Sequence, residues 1–310
     1  MYFVVSKFSL MAFSLEAFLD YLEKEKNFSR HTVIAYQNDI RSFFQFNDKN
    51  LGGKTDAEIF YKDVRAWLGF LSNQNFDHKT INRKISALKS YFKFVIKIGE
   101  REDNPMKGHH TLKIAKKAMT PLSLDEMRDL LDGLHFHETY SGVRDKLILD
   151  LFYHTGMRRA ELIKLKIHDA DLGSKTVKVL GKRNKERIIP LTNSICVSIE
   201  KYLTLRNTMH TVDHNFLFLT DKGNMLYPQF VYNLVKKYLS QVTTKKQIGP
   251  HILRHTFATH LLEGGANLNA TKELLGHTSL AATQVYTHTN IAELKKVYQN
   301  THPRKNVKPS

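Results

Sequence analysis

The sequence predicts a mainly helical protein of two domains, with one small antiparallel β-sheet among the helices of the second domain. Four stretches in the first hundred residues carry apolar side chains every three or four positions, a spacing typical of amphipathic helices. Residues 99–121 then combine Gly, Pro, His and Lys as a linker does. Two short β-type runs flank a polar turn between residues 176 and 191, which is the pattern of a hairpin.

Length and composition narrow the class of protein. The 310 residues are 42% hydrophobic and 25% charged, an ordinary globular composition, and a chain of this length favours two domains. A single cysteine, Cys196, excludes an internal disulfide and a cysteine-rich zinc module. No apolar run approaches the roughly 20 residues that span a bilayer, and the N-terminal stretch lacks the features of a secretory signal. We therefore expect a soluble, cytoplasmic protein without membrane insertion, with Met11 as an alternative start.

The charge suggests a polyanionic partner. Lys and Arg outnumber Asp and Glu by 47 to 30, a net charge of +17. Residues 1–110 hold 17 basic and 13 acidic side chains, so most of the surplus lies in the remaining 200 residues. A concentrated surplus of this kind favours nucleic acid over a membrane surface.

The first domain is predicted at residues 1–108 as a four-helix bundle. Its first helix follows Ser14 as N-cap, the second begins near Ser29, and the third spans Ala57 to Leu71. The fourth has an apolar stripe made of Ile81, Ile85, Leu88, Phe92 and Val95. Its cations lie off that stripe and form either a solvated face or a phosphate-binding face: Arg83, Lys84, Lys89 and Lys93.

The linker is placed at residues 109–121 and the second domain at residues 122–310. In the linker, His109 and His110 indicate a loop more than a metal site, because no further ligands accompany them. The second domain opens with a helix behind Ser123, and another helix follows around Arg144 to His154. Further helices are predicted at residues 193–207, 228–240, 251–263, 269–275 and 291–299.

Six residues of the second domain could act together on a phosphodiester without a metal. Such chemistry needs cationic donors around the phosphate, a nucleophile, and an acid for the leaving oxygen. Arginine suits the first task because its planar fork binds two oxygens at once. The candidates are Arg158, Lys182, His251, Arg254, His277 and Tyr286.

Each candidate also has an ordinary structural interpretation. Arg158 could simply pair with Glu161, and a lysine in a polar turn is normally solvated. His251 and Arg254 could be a surface pair on one helix face, and most tyrosines only pack and hydrogen-bond. His251, His255 and His260 do not have the spacing of a zinc site, so we expect neither a metal nor a cofactor.

The order and spacing of the six candidates resemble the active-site signature of the tyrosine recombinases, and the whole-chain pattern is similar to their Xer subgroup. The segments that carry the resemblance are HTGMRRAEL, GKRNKER, HILRHTFATHLLEGG and LLGHTSLAATQVYTH. It covers about 295 residues, although Arg183 stands where the family usually has a small residue. It implies a SAM-like core-binding domain followed by an α-rich catalytic domain with a small antiparallel sheet.

The resemblance implies a role for each residue. Tyr286 would attack a DNA phosphate and form a 3′-phosphotyrosyl link, while Arg158 and Arg254 hold the nonbridging oxygens. Lys182 would protonate the leaving 5′-oxygen, His251 would accept the proton of the tyrosine or contact the phosphate, and His277 would bind the scissile phosphate. In a supporting role, Glu161 would orient Arg158 or a neighbouring histidine.

The resemblance also implies partners and leaves alternatives. Four protomers, of one or two kinds of recombinase, would assemble on double-stranded DNA and recombine it through a Holliday junction. Residues 291–302 and the basic tail would dock on a neighbour or fold onto their own domain. The resemblance further implies chromosome dimer resolution that a DNA translocase of the FtsK type would activate. The alternatives are a mobile-element or plasmid integrase, a type IB topoisomerase, and a catalytically silent DNA-binding protein. Separately, three helix residues are candidates for contact with a DNA groove: Gln229, Asn233 and Lys236.

Overall fold

The computed structural model describes residues 7–114, 119–181, 185–209, 213–276, 297–298 and 300–304. Within these ranges the chain is mainly helical and holds one three-stranded antiparallel sheet, so the predicted fold class is confirmed. The chain divides into two compact units, Met1–Lys117 and Ala118–Ser310, and the division falls inside the segment 109–121. None of the helices in the described ranges is long and apolar enough to cross a membrane.

A core rich in aromatic rings holds the first unit together. Trp67, Phe18, Phe43 and Phe92 are all fully buried in it, and every residue of the apolar stripe predicted for the fourth helix is buried as well. Such a stripe gives each helix one face that water does not reach, which drives the bundle together. The α-helices described in this unit are α1 (Lys7–Asp20), α2 (Arg30–Asn50), α3 (Tyr61–Asn73) and α4 (His78–Lys97).

The starts of two helices show where local signals succeed and fail. α2 begins next to Ser29 as predicted, and Ser29 caps it, because its hydroxyl accepts a hydrogen bond from the Thr32 amide at 3.3 Å. Ser14 is not an N-cap, since α1 already begins at Lys7. The residues before Ser14 contain neither Gly nor Pro, so no helix-breaking residue prevents α1 from beginning earlier. Ser14 is instead buried, and its hydroxyl donates to Glu100 Oε2 at 2.8 Å.

The predicted third helix is divided in two. A 3₁₀ turn spans Asp56–Glu58, the fully buried Ile59 is extended, and α3 begins only at Tyr61. The break arises because the Asp63 carboxylate accepts a hydrogen bond from the Phe60 amide at 2.8 Å and caps a new helix. A continuous helix from Ala57 to Leu71 was therefore wrong at its first turn.

Three of the four cations on α4 have partners within the first unit. Lys84 is buried with its Nζ 3.3 Å from Asp39 Oδ1, and Arg83 pairs with the same carboxylate. Lys89 donates to the carbonyl of His109 at 2.5 Å. Asn82 also exchanges two hydrogen bonds with the backbone of Leu112, at 2.8 and 2.9 Å, so the start of the segment 109–121 lies along α4.

A helix that is buried over its second half, α6, forms the centre of the second unit. Its residues 147–155 are all buried, mostly apolar side chains with Asp150, His154 and Thr155 among them, and the helices at 193–207 and 250–263 pack against it. α5 follows Ser123 as predicted, and Ser123 caps it through its hydroxyl, which accepts from the Glu126 amide at 3.1 Å. The helices described here are α5 (Leu124–Arg128), α6 (Tyr140–Thr155), α7 (Arg159–Lys164), α8 (Asn193–Asn207), α9 (Pro228–Val242), α10 (Pro250–Glu263) and α11 (Leu268–Leu275).

The predicted hairpin is present and forms most of the sheet. Its strands, β2 (Thr176–Leu180) and β3 (Glu186–Pro190), pair antiparallel from Thr176↔Pro190 to Leu180↔Glu186. The Gly181 amide continues the ladder with a 2.8 Å bond to the Lys185 carbonyl. A further strand, β1 (Ala170–Asp171), pairs with β2; its two residues are too short to give a sequence signal.

The described C-terminal residues pack on their own domain. Tyr298 and His302 are each 1% exposed, and the Tyr298 hydroxyl donates to the His154 carbonyl at 2.9 Å. The rings of His302 and His154 stack with their centroids 4.8 Å apart. The Arg304 guanidinium donates two hydrogen bonds to the Asp132 carboxylate, at 2.6 and 2.8 Å. In this structure the described residues 297–298 and 300–304 therefore pack on their own domain.

Acid should loosen this docked segment. Burial lowers the pKa of His302 to about 3, so His302 docks uncharged, and docking is strongest above the ordinary pKa of 6.5. Between pH 6.5 and 3, His302 is protonated when the segment is detached and uncharged when it is docked. The docking equilibrium should therefore weaken about tenfold per pH unit in this range. We expect amide protection factors over residues 297–304 to fall by about tenfold from pH 7.5 to 5.5. Because burial also lowers the pKa of His154, on which His302 stacks, a His302→Phe chain should keep part of this dependence and show a smaller fall. An equal fall in both chains would contradict the assignment.

Candidate active site

Arg158 lies where α6 passes into α7. Gly156 ends α6 with φ +57°, and Arg158 then occupies the N-cap position of α7. Its amide donates to Glu161 Oε2 at 2.7 Å, and its Nη1 donates to Glu161 Oε1 at 2.8 Å. The pairing with Glu161 is therefore real. The Arg158 side chain nevertheless keeps 36% of its surface exposed, so it can still reach a ligand.

His251 and Arg254 lie one turn apart at the start of α10. His251 is exposed in the first turn of the helix. Arg254 reaches inward, where its Nη1 donates to the Gly156 carbonyl and its Nη2 to the Leu275 carbonyl at 2.7 Å. Burial, together with the nearby charge of Arg158, lowers the pKa of Arg254 to about 10. The guanidinium still carries its charge at neutral pH.

A third arginine, Arg187 on β3, completes the group and was missed in the sequence. Its side chain is 4% exposed, and its Nη1 and Nη2 donate to the two carboxylate oxygens of Glu161 at 3.0 and 2.8 Å. The basic run GKRNKER gave no reason to single it out. The available signal was strand alternation, which places Arg187 on the same buried side as Ile189.

These three arginines meet at the C-terminal end of α11, and we call them the arginine cluster: Arg158, Arg187 and Arg254. The last carbonyls of a helix have no partner within it and carry partial negative charge. Arg187 Nε binds the Leu274 carbonyl at 2.9 Å, Arg254 binds that of Leu275, and Arg158 Nη2 lies 3.4 Å from that of Gly276. Each arginine thus holds one of three successive carbonyls.

Glu161 is the carboxylate at the centre of the cluster. Burial alone would raise its pKa, but the hydrogen bonds and charges of Arg187 and Arg158 lower the pKa below its ordinary value of 4.5. Among the described residues in hydrogen-bond contact with it, Glu161 faces two guanidinium groups, and Arg254 brings a third to the same helix end. This excess of positive charge can accept an anion such as a phosphate.

Three of the six candidates, Lys182, His277 and Tyr286, lie outside the described residues. Two of them follow directly on residues that touch the cluster. A Cβ atom built on Gly181 would lie 3.6 Å from both Arg187 Nη1 and Glu161 Oε1. One built on Gly276, where φ is +65°, would lie 3.3 Å from Arg187 Nη1. The chain therefore enters residues 182 and 277 from the edge of the arginine cluster.

Both halves of the chain match one family of known proteins. Residues 121–293 match the phage integrase family, and residues 15–99 match the N-terminal SAM-like domain of phage integrases. The chain belongs to the phage integrase family. The recognition of a tyrosine recombinase from its sequence is thus confirmed, as is the SAM-like character of the first domain.

The tyrosine recombinase has relatives along nearly its whole length. It is 38% identical to the tyrosine recombinase XerC of Staphylococcus carnosus, covering 93% of this chain and 97% of the relative. With the XerC of Natranaerobius thermophilus it shares 36% identity over the same fractions. These relatives confirm the assignment to the Xer type of site-specific recombinase, an enzyme that cuts and rejoins DNA.

Solved structures show the same fold. The XerH recombinase bound to its difH substrate before cleavage aligns with a TM-score of 0.67 at 21% identity, over 92% of this chain and 82% of that one. The integrase of the Tn1549 transposon in complex with circular intermediate DNA aligns with a TM-score of 0.68 at 20% identity, over 90% of this chain and 98% of that one.

Other polar residues of the recombinase have contacts of their own. His260, once a candidate for a zinc cluster, is buried with its Nδ1 2.8 Å from the Tyr153 hydroxyl, and burial lowers its pKa. Across the described ranges we find no group of three side chains placed to hold a metal. On the exposed face of α9, Gln229 donates to Asn233 at 2.7 Å and Lys236 is also exposed.

Proposed function

We propose that Tyr286 is the nucleophile with which this recombinase cuts one DNA strand at its recombination site. The phenol oxygen attacks the phosphorus, a 3′-phosphotyrosyl bond forms, and the bond to the 5′-oxygen breaks. Lys182 gives the leaving 5′-oxygen a proton and His251 takes the proton of the phenol. Arg158, Arg254 and His277 bind the nonbridging oxygens, on which negative charge grows in the transition state.

The observation that carries this proposal is the arginine cluster. Arg158 and Arg254 are fixed at their guanidinium groups by Glu161, by the Gly156 carbonyl and by the end of α11. Donors held in place before the reaction need no reorganisation when the phosphate becomes pentacoordinate, which is where fixed cations lower a barrier most. His251 lies one turn before Arg254 on α10, and the chain runs from the cluster into Lys182 and His277.

The covalent link conserves the energy of the broken phosphodiester bond, so rejoining requires neither ATP nor a metal. When the attacking 5′-hydroxyl comes from a second duplex, the strands exchange. Two such rounds through a Holliday junction complete recombination. The surplus of positive charge, +13 over the last 200 residues, supports DNA as the partner, because most contacts in such complexes go to phosphates.

The surrounding assembly is proposed on the same basis. Residues 1–108 would close a clamp around the duplex, with the linker at 109–121 and the catalytic domain at 122–310. Four protomers, alone or with a second recombinase, would act in the cytoplasm, and a DNA translocase of the FtsK type would activate them. The XerC relatives favour chromosome dimer resolution over the runner-up, a mobile-element integrase.

Replacing Tyr286 by phenylalanine should abolish covalent capture of DNA while leaving DNA binding intact, because the variant lacks the attacking oxygen. The recombinase is incubated with fragmented host DNA without metal or ATP and denatured, and the protein-linked DNA is sequenced. We expect one short recurring site from the unmodified chain and none from the Tyr286→Phe chain. Scattered sites would instead indicate topoisomerase behaviour.

Two other tyrosines provide matched controls. Tyr227 is 55% exposed at the start of α9, and Tyr298 is 1% exposed with its hydroxyl bonded to His154. Tyr227→Phe and Tyr298→Phe should both retain the adduct. An adduct that persists in the Tyr286→Phe chain and disappears in either control would move the nucleophile to that tyrosine.

A further inference from the structure

Arg187 is engaged by the protein at all three of its guanidinium nitrogens. Nη1 and Nη2 bind the two oxygens of Glu161 in a parallel fork, and Nε binds the Leu274 carbonyl. A fork of this kind fixes both the position and the plane of a carboxylate. Because the side chain is 4% exposed, it has no surface left with which to hold a phosphate.

The acceptors of Arg187 are the same two features that hold the exposed arginine. Glu161 Oε1 receives hydrogen bonds from both Arg187 and Arg158, and the end of α11 receives one from each member of the arginine cluster. Arg187 reaches these acceptors from β3, on the strand that leads out of the hairpin. It is therefore the connection between the hairpin, α7 and α11.

We propose that Arg187 is a positioning residue for the cleavage reaction. It fixes the plane of Glu161 and thereby the guanidinium of Arg158, and it fixes the end of α11 from which the chain continues to His277. This inference rests on the proposed function, because it concerns the rate at which Tyr286 attacks. It assigns Arg187 no contact with DNA.

The consequence of losing Arg187 follows from geometry. Without it, the hydrogen bonds that Glu161 keeps from the described residues are the two from Arg158, and the Leu274 carbonyl loses the donor that Arg187 supplies. The carboxylate can then rotate, and the guanidinium of Arg158 moves with it. Misplacing a phosphate-binding group by about 1 Å costs on the order of 100-fold in rate. Affinity for DNA, which depends on many phosphate contacts, should change little.

The test is the single-turnover rate of adduct formation on the captured site, measured together with the dissociation constant for the same DNA. Arg187→Gln should slow the adduct about 100-fold at an unchanged dissociation constant. Arg187→Lys should remain slow, because an ammonium group restores the charge without the fork. A matched control is Arg206→Gln. Arg206 is also 4% exposed and binds the carbonyls of His214 and Phe216, away from the cluster, so its loss should leave the rate unchanged.

A double substitution separates positioning from general destabilisation. If Arg187 acts through Arg158, then Arg187→Gln should slow an Arg158→Lys chain far less than it slows the unmodified chain. Slowing by the same factor in both backgrounds, or an unchanged rate in Arg187→Gln alone, would overturn the inference. A wild-type chain that forms no Tyr286-dependent adduct would overturn the proposed function itself, and that result is recognisable before any variant is made.

Discussion

A recombinase in which Glu161 is replaced by glutamine should lose about 3–5 kcal/mol of folding free energy, because removing one partner of a buried ion pair leaves the other charge uncompensated. Glu161 is 6% exposed, and from the described part of the chain it accepts four hydrogen bonds, two from Arg158 and two from Arg187. An amide of the same shape keeps one accepting oxygen and presents an NH₂ group to the other two donors, one on Arg158 and one on Arg187. Arg187 would then stay buried and charged with two neutral acceptors, the remaining amide oxygen and the Leu274 carbonyl.

Calorimetry of the full chain would measure this effect. For a domain of this size, the loss should lower the transition of the second unit by at least about 6 °C. The pH dependence has a definite sign. Since the pKa of Glu161 is lowered below 4.5 in the folded chain, its stabilisation is complete above pH 4.5 and decreases in more acidic solution. The difference in unfolding free energy between the unmodified chain and the Glu161→Gln chain should therefore become smaller below pH 4.5.

An exposed ion pair of the same type provides the control. Glu138 Oε2 lies 2.7 Å from Lys201 Nζ, and the Glu138 side chain is 75% exposed. Exposed pairs of this kind contribute little to stability, so Glu138→Gln should leave the transition where it is. A Glu161→Gln chain that is equally unaffected would show that the carboxylate is not what holds the cluster together.

Much of the fold could be predicted because its signals are local. The helices predicted at 193–207, 228–240, 251–263 and 269–275 all begin within one residue of their observed starts. The errors occur where a distant contact or a single cap decides. Ser14 was assigned as a cap although its hydroxyl binds Glu100, 86 residues away. In the predicted third helix, the Asp63 carboxylate caps a new start at Tyr61, four residues after the predicted start at Ala57.

The candidate site follows the same rule. Arg158 and Glu161 are three residues apart, so their pairing could be weighed from spacing alone, and it is present in the structure. Arg187 could not be found in that way, because its acceptors lie 26 and 87 residues from it. Spacing identifies groups that share one helix turn. Strand alternation could have placed Arg187 on the buried side with Ile189, but only the packing of β3 against α11 shows which acceptors it reaches there.

The division of cations between the two units has a physical meaning as well. On α4, Arg83 and Lys84 neutralise Asp39, and Lys89 binds a backbone carbonyl, so much of that charge stabilises the unit itself. The arginine cluster is different because three guanidinium groups share the carboxylate of Glu161 and the end of α11. Positive charge without a full set of carboxylates is what a phosphate-binding site requires.

Gly156→Ala should be among the most damaging single substitutions in this recombinase. With φ at +57°, an L side chain at this position costs about 1–2 kcal/mol. The added Cβ would also lie 2.3 Å from Phe257 Cδ1 and 2.9 Å from Leu275 Cδ2, and both residues are buried. Overpacking of this kind costs a further 1–3 kcal/mol. Because the Gly156 carbonyl receives Arg254, moving it should slow adduct formation too.

The comparison that isolates the clash is Gly265→Ala in the same unit. Gly265 has φ +92° and nothing within 4 Å of a Cβ built on it, so this change carries the backbone cost alone. We expect calorimetry to show a clearly larger loss for Gly156→Ala, and the rate of DNA capture to fall only in that chain. Equal losses in both chains would mean that Phe257 and Leu275 yield without resistance. The end of α6 would then not be the rigid support on which Arg254 depends.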